Sequence, residues 1–193
     1  MDAKGYKNNN INLLFVGRLF EKKGIMELLK AVKLVIEKNI QCKLSIAGDG
    51  ILSDKVIEYI EENKLHDVVN RLGWVTNEEV LNQYKQTSIF VLPTYHQEGL
   101  PIVILMSLQF GIPIITTKIR GMADYLKEPD NCFWVEAKNS KMLAEKIIYL
   151  IEHSELREQM SKNNKELAKK FTAEKVANEF IKIYSDVLEK GTT

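Results

Sequence analysis

Three ionisable residues, Arg18, Lys23 and Glu98, follow short apolar runs of the sequence at positions where strand-to-helix loops are expected. Arg18 and Lys23 come after the run 11–16, and Glu98 comes after the run 89–92. In a parallel α/β sheet such loops gather at one edge, where a helix amino terminus favours an anion such as phosphate. A guanidinium and an ammonium group would stabilise negative charge on a departing diphosphate. A phosphorylated ligand is therefore the first hypothesis.

Three other features could carry chemistry, and each has a simpler interpretation. Gly48-Asp49-Gly50 is a lone G-x-G after the second apolar run, which favours a tight turn over a dinucleotide fingerprint. His96 could act as an acid or base but is more typical of a solvated loop histidine. Trp74 could line a base pocket, although core packing is the expected role. The chain has no D-x-D pair, H-E-x-x-H motif or P-loop, so we expect no metal site.

Strands and helices must alternate along the chain to position these residues. Short, nearly continuous apolar runs predict strands buried on both faces, and the segments between them have helical periodicity. Thr76-Asn77-Glu78-Glu79 has the T-x-x-E form of a capping box. The predicted strands are 11–16, 43–47, 68–73, 89–92, 112–116 and 132–135, and the predicted helices are 24–38, 51–63, 76–86, 100–110, 141–153, 155–171 and 172–190.

This alternation predicts an α/β fold, a Rossmann-like three-layer domain with a parallel sheet of about six strands. We expect a polar amino-terminal segment over 1–10 and a single domain over 11–190. Helix 172–190 carries a stripe of apolar side chains that we expect to be partly exposed: Val176, Phe180, Ile183, Tyr184, Val187 and Leu188.

Composition limits the possible partners and locations. The chain has 193 residues, 45% of them hydrophobic, and its 27 Lys and Arg against 26 Asp and Glu give a net charge of +1. No overall field favours nucleic acid. Cys42 and Cys132 have no ligand or disulfide spacing, so buried thiols are expected. The sequence has no apolar stretch long enough for a membrane span, and we expect a cytoplasmic location that includes the membrane surface.

Several motifs then resemble one family. F-V-G-R-L-x3-K-G, A-G-D-G, L-G-W-V-T-N-E-E-V-L-x-x-Y, F-V-L-P-T-x3-E-G-L-P-I-V-I-L and F-G-I-P-I-I-T-T follow each other in this order, and the resemblance covers about residues 11 to 190. Their order and spacing resemble the carboxyl-terminal, donor-binding half of the retaining family-four glycosyltransferases of GT-B fold. The resemblance implies a hexosyltransferase of glycan or polysaccharide biosynthesis with a nucleotide-diphosphate sugar as donor and no cofactor or metal.

The resemblance also implies roles for individual residues. Catalysis would depend on Glu98, Arg18 and Lys23, and the diphosphate itself would take the acceptor's proton on the face from which it departs. The expected donor-binding residues are Gly17, Arg18, Lys23, Trp74, Val75, Glu98, Gly99, Leu100, Met106 and Gly121. Arg18 and Lys23 would hold the diphosphate, Trp74 and Val75 would lie against the base, and the segment near Arg120-Gly121 would close over the phosphates.

Two departures from the family pattern leave alternatives open. The second glutamate of the family's Glu-x7-Glu motif, which grips the ribose hydroxyls, falls on Met106, and a thioether cannot replace a carboxylate as acceptor. The family's amino-terminal domain, which binds a saccharide or lipid-linked acceptor, has no counterpart in this chain. The alternatives are a non-catalytic nucleotide-sugar or protein-binding module and a different Rossmann-type enzyme, such as an epimerase or dehydrogenase. The missing G-x-G-x-x-G disfavours the last.

Overall fold

The computed structural model describes residues 11–97, 99–172, 174, 175, 177 and 181 of the chain. Six parallel strands form one sheet in the order β3-β2-β1-β4-β5-β6. The strands are β1 (Asn12–Val16), β2 (Lys43–Ala47), β3 (Val69–Gly73), β4 (Ile89–Leu92), β5 (Ile114–Thr117) and β6 (Cys132–Val135). The predicted parallel sheet of six strands is confirmed.

Helices cover both faces of the sheet. They are α1 (Ile25–Glu37), α2 (Ser53–Glu62), α3 (Asn77–Gln86), α4 (Ile102–Phe110), α5 (Arg120–Ala123), α6 (Ser140–Glu152) and α7 (Ser154–Ala168). One layer joins α1 to α2 and α6, and the other joins α4 to α3 and α7. All residues of β4 and β5 are buried, because central parallel strands are covered on both sides. None of these described helices is long and apolar enough to cross a membrane.

The strand order reverses direction between β1 and β4, which are neighbours in the sheet although two strands separate them in sequence. Helical connections that leave β1 and β4 run toward opposite edges, so a crevice opens between the loops that follow these two strands. The carboxyl ends of parallel strands all lie at one edge, which also carries the loops after β2, β3, β5 and β6. The loops that hold Arg18 and Glu98 therefore flank the topological switch point.

The element boundaries follow local chemistry. The predicted capping box is confirmed, since the Thr76 hydroxyl accepts from the Glu79 backbone N–H while the Glu79 carboxylate accepts from the Thr76 N–H at 2.7 Å. Strand β5 starts at Ile114 and not at Ile112 as predicted. Pro113 has no N–H to donate, and the Ile112 N–H donates back to the Ser107 carbonyl.

Other sequence predictions have mixed outcomes. Cys42 and Cys132 are both buried free thiols, as predicted, and burial raises the pKa of the Cys42 thiol to about 11. Short helix α5 was not predicted, because four residues carry no measurable periodicity. The predicted segment 1–10 and the apolar stripe from Val176 to Leu188 lie outside the described residues.

Candidate functional site

A single carbonyl joins the two loops that flank the switch point. The Lys22 carbonyl accepts from the backbone N–H groups of Tyr95 at 2.8 Å and His96 at 3.2 Å, and from the Thr94 hydroxyl at 3.1 Å. Gly24 brings the loops this close, because a Cβ there would lie 2.3 Å from the Pro93 carbonyl oxygen. Its backbone also has a φ of 74° that favours glycine. The loop after β1 is therefore fixed to the loop after β4.

The two predicted cations lie beside one aromatic ring. The Arg18 Cζ is 5.4 Å and the Lys23 Nζ is 6.0 Å from the centroid of the Phe20 ring. The His96 ring meets Phe20 edge-on, with centroids 5.5 Å apart, so this histidine is half-buried and not the solvated residue predicted. Phe20 thus gathers Arg18 and Lys23 at the crevice between β1 and β4.

Phe20 is a site residue that the sequence argument missed. Its position in the sequence could have identified it, because Phe20 lies two residues after Arg18 and three before Lys23. In the structure Phe20 precedes a 3-10 turn, Glu21–Lys23, and this turn carries Lys23 back toward the ring. Aromatic faces attract cations. The Phe20 ring therefore favours a defined position for each of the two charges, which the flexible Arg18 and Lys23 side chains would not have without it.

The amino terminus of α4 faces the same edge without a side-chain cap. Pro101 occupies the N-cap position and offers no side-chain acceptor, so the first N–H groups of α4 remain available to an anion. Gly99 is exposed and Leu100 is partly buried against the core. Glu98, the proposed catalytic carboxylate, lies outside the described residues.

Gly121 packs closely against the Gly99 backbone. A Cβ on Gly121 would lie 2.3 Å from the Gly99 carbonyl carbon, so only glycine permits this approach. The Thr117 hydroxyl donates to the Thr94 carbonyl and joins the carboxyl end of β5 to the loop after β4. The structure therefore brings Gly121 to Gly99.

Met106 lies on α4, one helical turn after its start. Its side chain is partly buried and packs against the hydrophobic core, while Ile102 at the start of the same helix is exposed. An apolar thioether side chain therefore occupies this position. Met106 could contact a ligand only through the part of its side chain that remains exposed.

The other predicted residues follow β1 and β3 at the same edge of the sheet. Gly17 continues the sheet past β1, since its N–H donates to the Ala47 carbonyl, and Gly48 does the same toward Gly73. Trp74 is 83% exposed, so the expected core packing is wrong. Its exposed ring and the partly buried Val75 lie in the loop between β3 and α3.

A pair of oppositely charged side chains lies beside the site, on the side of β6. Glu21 pairs with Lys138 at 3.4 Å and accepts from the Tyr95 hydroxyl at 3.4 Å, while the Lys138 Nζ lies 5.1 Å from the Tyr95 ring centroid. Burial, together with the Glu27 and Glu21 carboxylates, raises the pKa of Tyr95 to about 12. Tyr95 is therefore a neutral donor at physiological pH. Within the described ranges, no group of three or more His, Cys, Asp or Glu side chains could hold a metal ion.

Fold and site define a Rossmann-like domain with a cation-bearing crevice at its switch point. The chain belongs to the family described as glycosyl transferases group 1, whose model matches residues 2–167. An uncharacterized glycosyltransferase of Methanocaldococcus jannaschii is 30% identical over 94% of this chain and 50% of its own length. The capsular polysaccharide biosynthesis glycosyltransferase CapM of Staphylococcus aureus is 28% identical over 95% of this chain and 48% of its own length. The chain thus spans about half the length of these curated relatives.

Solved structures agree on the fold. The carboxyl-terminal domain of the group 1 glycosyl transferase LpcC of Francisella tularensis has a TM-score of 0.75 at 21% identity, over 83% of this chain and 85% of that domain. Anabaena HepE, in complex with UDP and glucose, has a TM-score of 0.80 at 19% identity, over 92% of this chain and 48% of that protein. At these identities the similarity establishes the fold alone.

Proposed function

We propose that this chain is the donor-binding half of a retaining, metal-independent glycosyltransferase of glycan or polysaccharide biosynthesis. The observation that carries the proposal is the position of Arg18 and Lys23 beside Phe20, at the switch point and at the same sheet edge as the uncapped amino terminus of α4. A diphosphate bound there would meet two cations and several backbone N–H groups, which is the environment that such an anion prefers.

The same groups would assist departure of the diphosphate. In the proposed reaction the bond between the sugar's anomeric carbon and the diphosphate oxygen breaks, and negative charge develops on that oxygen. Arg18 and Lys23 stabilise this charge. The acceptor hydroxyl then bonds to the anomeric carbon on the face from which the diphosphate departs, and its proton passes to the diphosphate. Glu98 and the Gly99-Leu100 backbone are assigned to the transferred sugar.

The donor is proposed to be a nucleotide-diphosphate sugar. HepE was solved in complex with UDP and glucose, which supports uridine diphosphate as the first nucleotide to test. The exposed Trp74 ring, in the loop after β3, is the proposed contact for the base. The base, phosphates and sugar would then lie in that order along the carboxyl edge of the sheet.

The acceptor side of the reaction requires a second domain or a partner chain. Relatives such as CapM are about twice as long as the matched region. We propose that a saccharide or lipid-linked acceptor is bound by that other half, and that the chain acts in the cytoplasm, including at the membrane surface. The isolated chain should therefore bind donor weakly and transfer no sugar, since positioning of the two reactants supplies much of the rate.

One observation favours a second candidate function. Met106 takes the position of a ribose-binding glutamate and packs partly against the core. A domain that lost this carboxylate could serve as a non-catalytic nucleotide-sugar or protein-binding module. Glycosyl transfer by the chain together with its acceptor half would exclude this alternative.

Calorimetric titration with uridine, guanosine and adenosine diphosphates tests the proposed site. We expect one nucleotide to bind, and Arg18→Ala and Lys23→Ala each to weaken its binding about tenfold. Lys30→Ala is a matched control, because Lys30 is an exposed cation on α1. Failure of all three nucleotides to bind, or an equal loss in the Lys30 variant, would contradict the proposal.

A further inference from the structure

A cavity of about 860 Å³ opens at the carboxyl edge, between the loops that follow β4, β5 and β6. Its volume is within the range of sites for small molecules. The lining combines apolar side chains with an aromatic ring, an amide and charged groups: Tyr95, Gln97, Gly99, Thr117, Lys118, Ile119, Arg120, Val135, Glu136 and Ala137. Such a mixed lining suits a saccharide, which has both apolar faces and hydroxyl groups.

Two cations on the β5 side of this cavity stand out. Lys118 and Arg120 are exposed, and neither has an ion-pair partner in the part of the chain that the structure describes. The carboxylate that also lines the cavity, Glu136, accepts from the Asn139 side chain at 2.9 Å. The positive charges of Lys118 and Arg120 are therefore available to a ligand.

The cavity adjoins the proposed diphosphate site. Gly99 lines the cavity and leads into α4, while Gly121, directly after Arg120, contacts the Gly99 backbone. A sugar attached to a diphosphate at Arg18 and Lys23 would therefore be directed toward this cavity. This step rests on the proposed function, whereas the cavity and its charges do not.

We infer that the cavity binds a saccharide that carries an anionic group, a carboxylate or a phosphate, and that Lys118 and Arg120 recognise this group. A guanidinium binds a carboxylate or phosphate in a bidentate manner, and the nearby ammonium adds a second charge-assisted bond. The anion can belong to the transferred sugar, as in a uronic acid, or to the sugar of the acceptor. Lys118 and Arg120 are thus specificity-determining residues.

Titrations of the isotope-labelled chain with UDP, UDP-glucose and UDP-glucuronate, followed by NMR, test the donor source. We expect the variant with both Lys118→Gln and Arg120→Gln to lose about tenfold in affinity for UDP-glucuronate and less than twofold for UDP and UDP-glucose. Lys55→Gln, an exposed cation on α2, is the control. Equal losses for all three ligands would assign the two cations to the diphosphate and overturn the inference.

Titrations with methyl glucuronide and glucose 1-phosphate test the acceptor source and need no nucleotide. Shifts of the Gly99, Lys118 and Arg120 amides that disappear in the double variant would support the inference, even if UDP fails to bind and the proposed function falls. If a UDP-glucuronate preference is absent while these free saccharides bind, the anion belongs to the acceptor. No selective effect in either series would refute the inference.

Discussion

Met106→Glu is the substitution that tests the ribose assignment most directly. Position 106 is eight residues after Glu98 and one turn into α4, whose amino terminus adjoins the proposed diphosphate site. A glutamate there has a side chain of about the same length as methionine, and it would present its carboxylate at the exposed part of the position to a ribose beside the diphosphate. The expected gain is tighter binding of the nucleoside diphosphate.

The magnitude follows from two opposing contributions. Hydrogen bonds from the two ribose hydroxyls to a carboxylate are worth about 1.5–3 kcal/mol each before desolvation. Met106 packs against the core, so part of the new carboxylate would lose water, and part of the methionine packing would be lost. We expect a net gain of about 1.4 kcal/mol, which is tenfold in the dissociation constant, together with a lower melting temperature.

Calorimetry and thermal unfolding of Met106→Glu and Met106→Gln separate the possibilities. Glutamine has the same length without the charge, so it should destabilise the fold less and gain little affinity. Nucleotide affinity that is unchanged or weaker in the glutamate variant, combined with a lower melting temperature, would refute the ribose assignment. Met106 would then be only a core residue.

Three other substitutions test the framework of the site. Asn164 is fully buried and bonds to the Ile112 carbonyl and to Asn131, so Asn164→Ala should lower the free energy of unfolding in urea by about 3 kcal/mol, against less than about 1 kcal/mol for Asn163→Ala. Gly121→Ala should reduce nucleotide affinity and melting temperature because its Cβ meets the Gly99 backbone, whereas Gly99→Ala, whose Cβ meets nothing, should fold normally. Hydrogen bonds from the Thr76 N–H and hydroxyl hold the pKa of the Glu79 carboxyl below its usual range. These bonds stabilise the folded protein fully at pH values above the pKa of Glu79 in the unfolded chain, and their contribution is lost as the pH falls through the lower pKa of the folded protein. Glu79→Gln should therefore lower the melting temperature at pH 7 and not at pH 2.

The sheet was predictable because each strand is a short apolar run between helical segments. Parallel strands buried on both faces leave no room for polar side chains, which makes them easy to recognise. The start of β5 at Ile114 was predictable in principle, since Pro113 cannot donate to a ladder. Asn164 was not predictable, because its partners Ile112 and Asn131 are distant in sequence.

The position of the two cations of the candidate site was predictable from the sequence, but the contact that holds them together was not. Arg18 and Lys23 follow from position after β1, but their shared contact with Phe20 depends on a 3-10 turn that no periodicity marks. Trp74 was expected in the core because of its size, yet the loop after β3 holds it outside. Hydrophobicity alone cannot distinguish a core tryptophan from an exposed one.

The hydrogen bonds that the Lys22 carbonyl accepts couple the movements of two loops. Because it accepts from Tyr95, His96 and Thr94 together, the turn that carries Lys23 and the loop that leads to Glu98 form one unit. A displacement of the turn that carries Lys23 is then transmitted to the loop after β4, so under the proposed function the phosphate and sugar ends of a donor would be bound and released together. Hydrogen exchange at the Tyr95 and His96 amides should therefore slow in concert when a nucleotide binds, although neither amide would touch it.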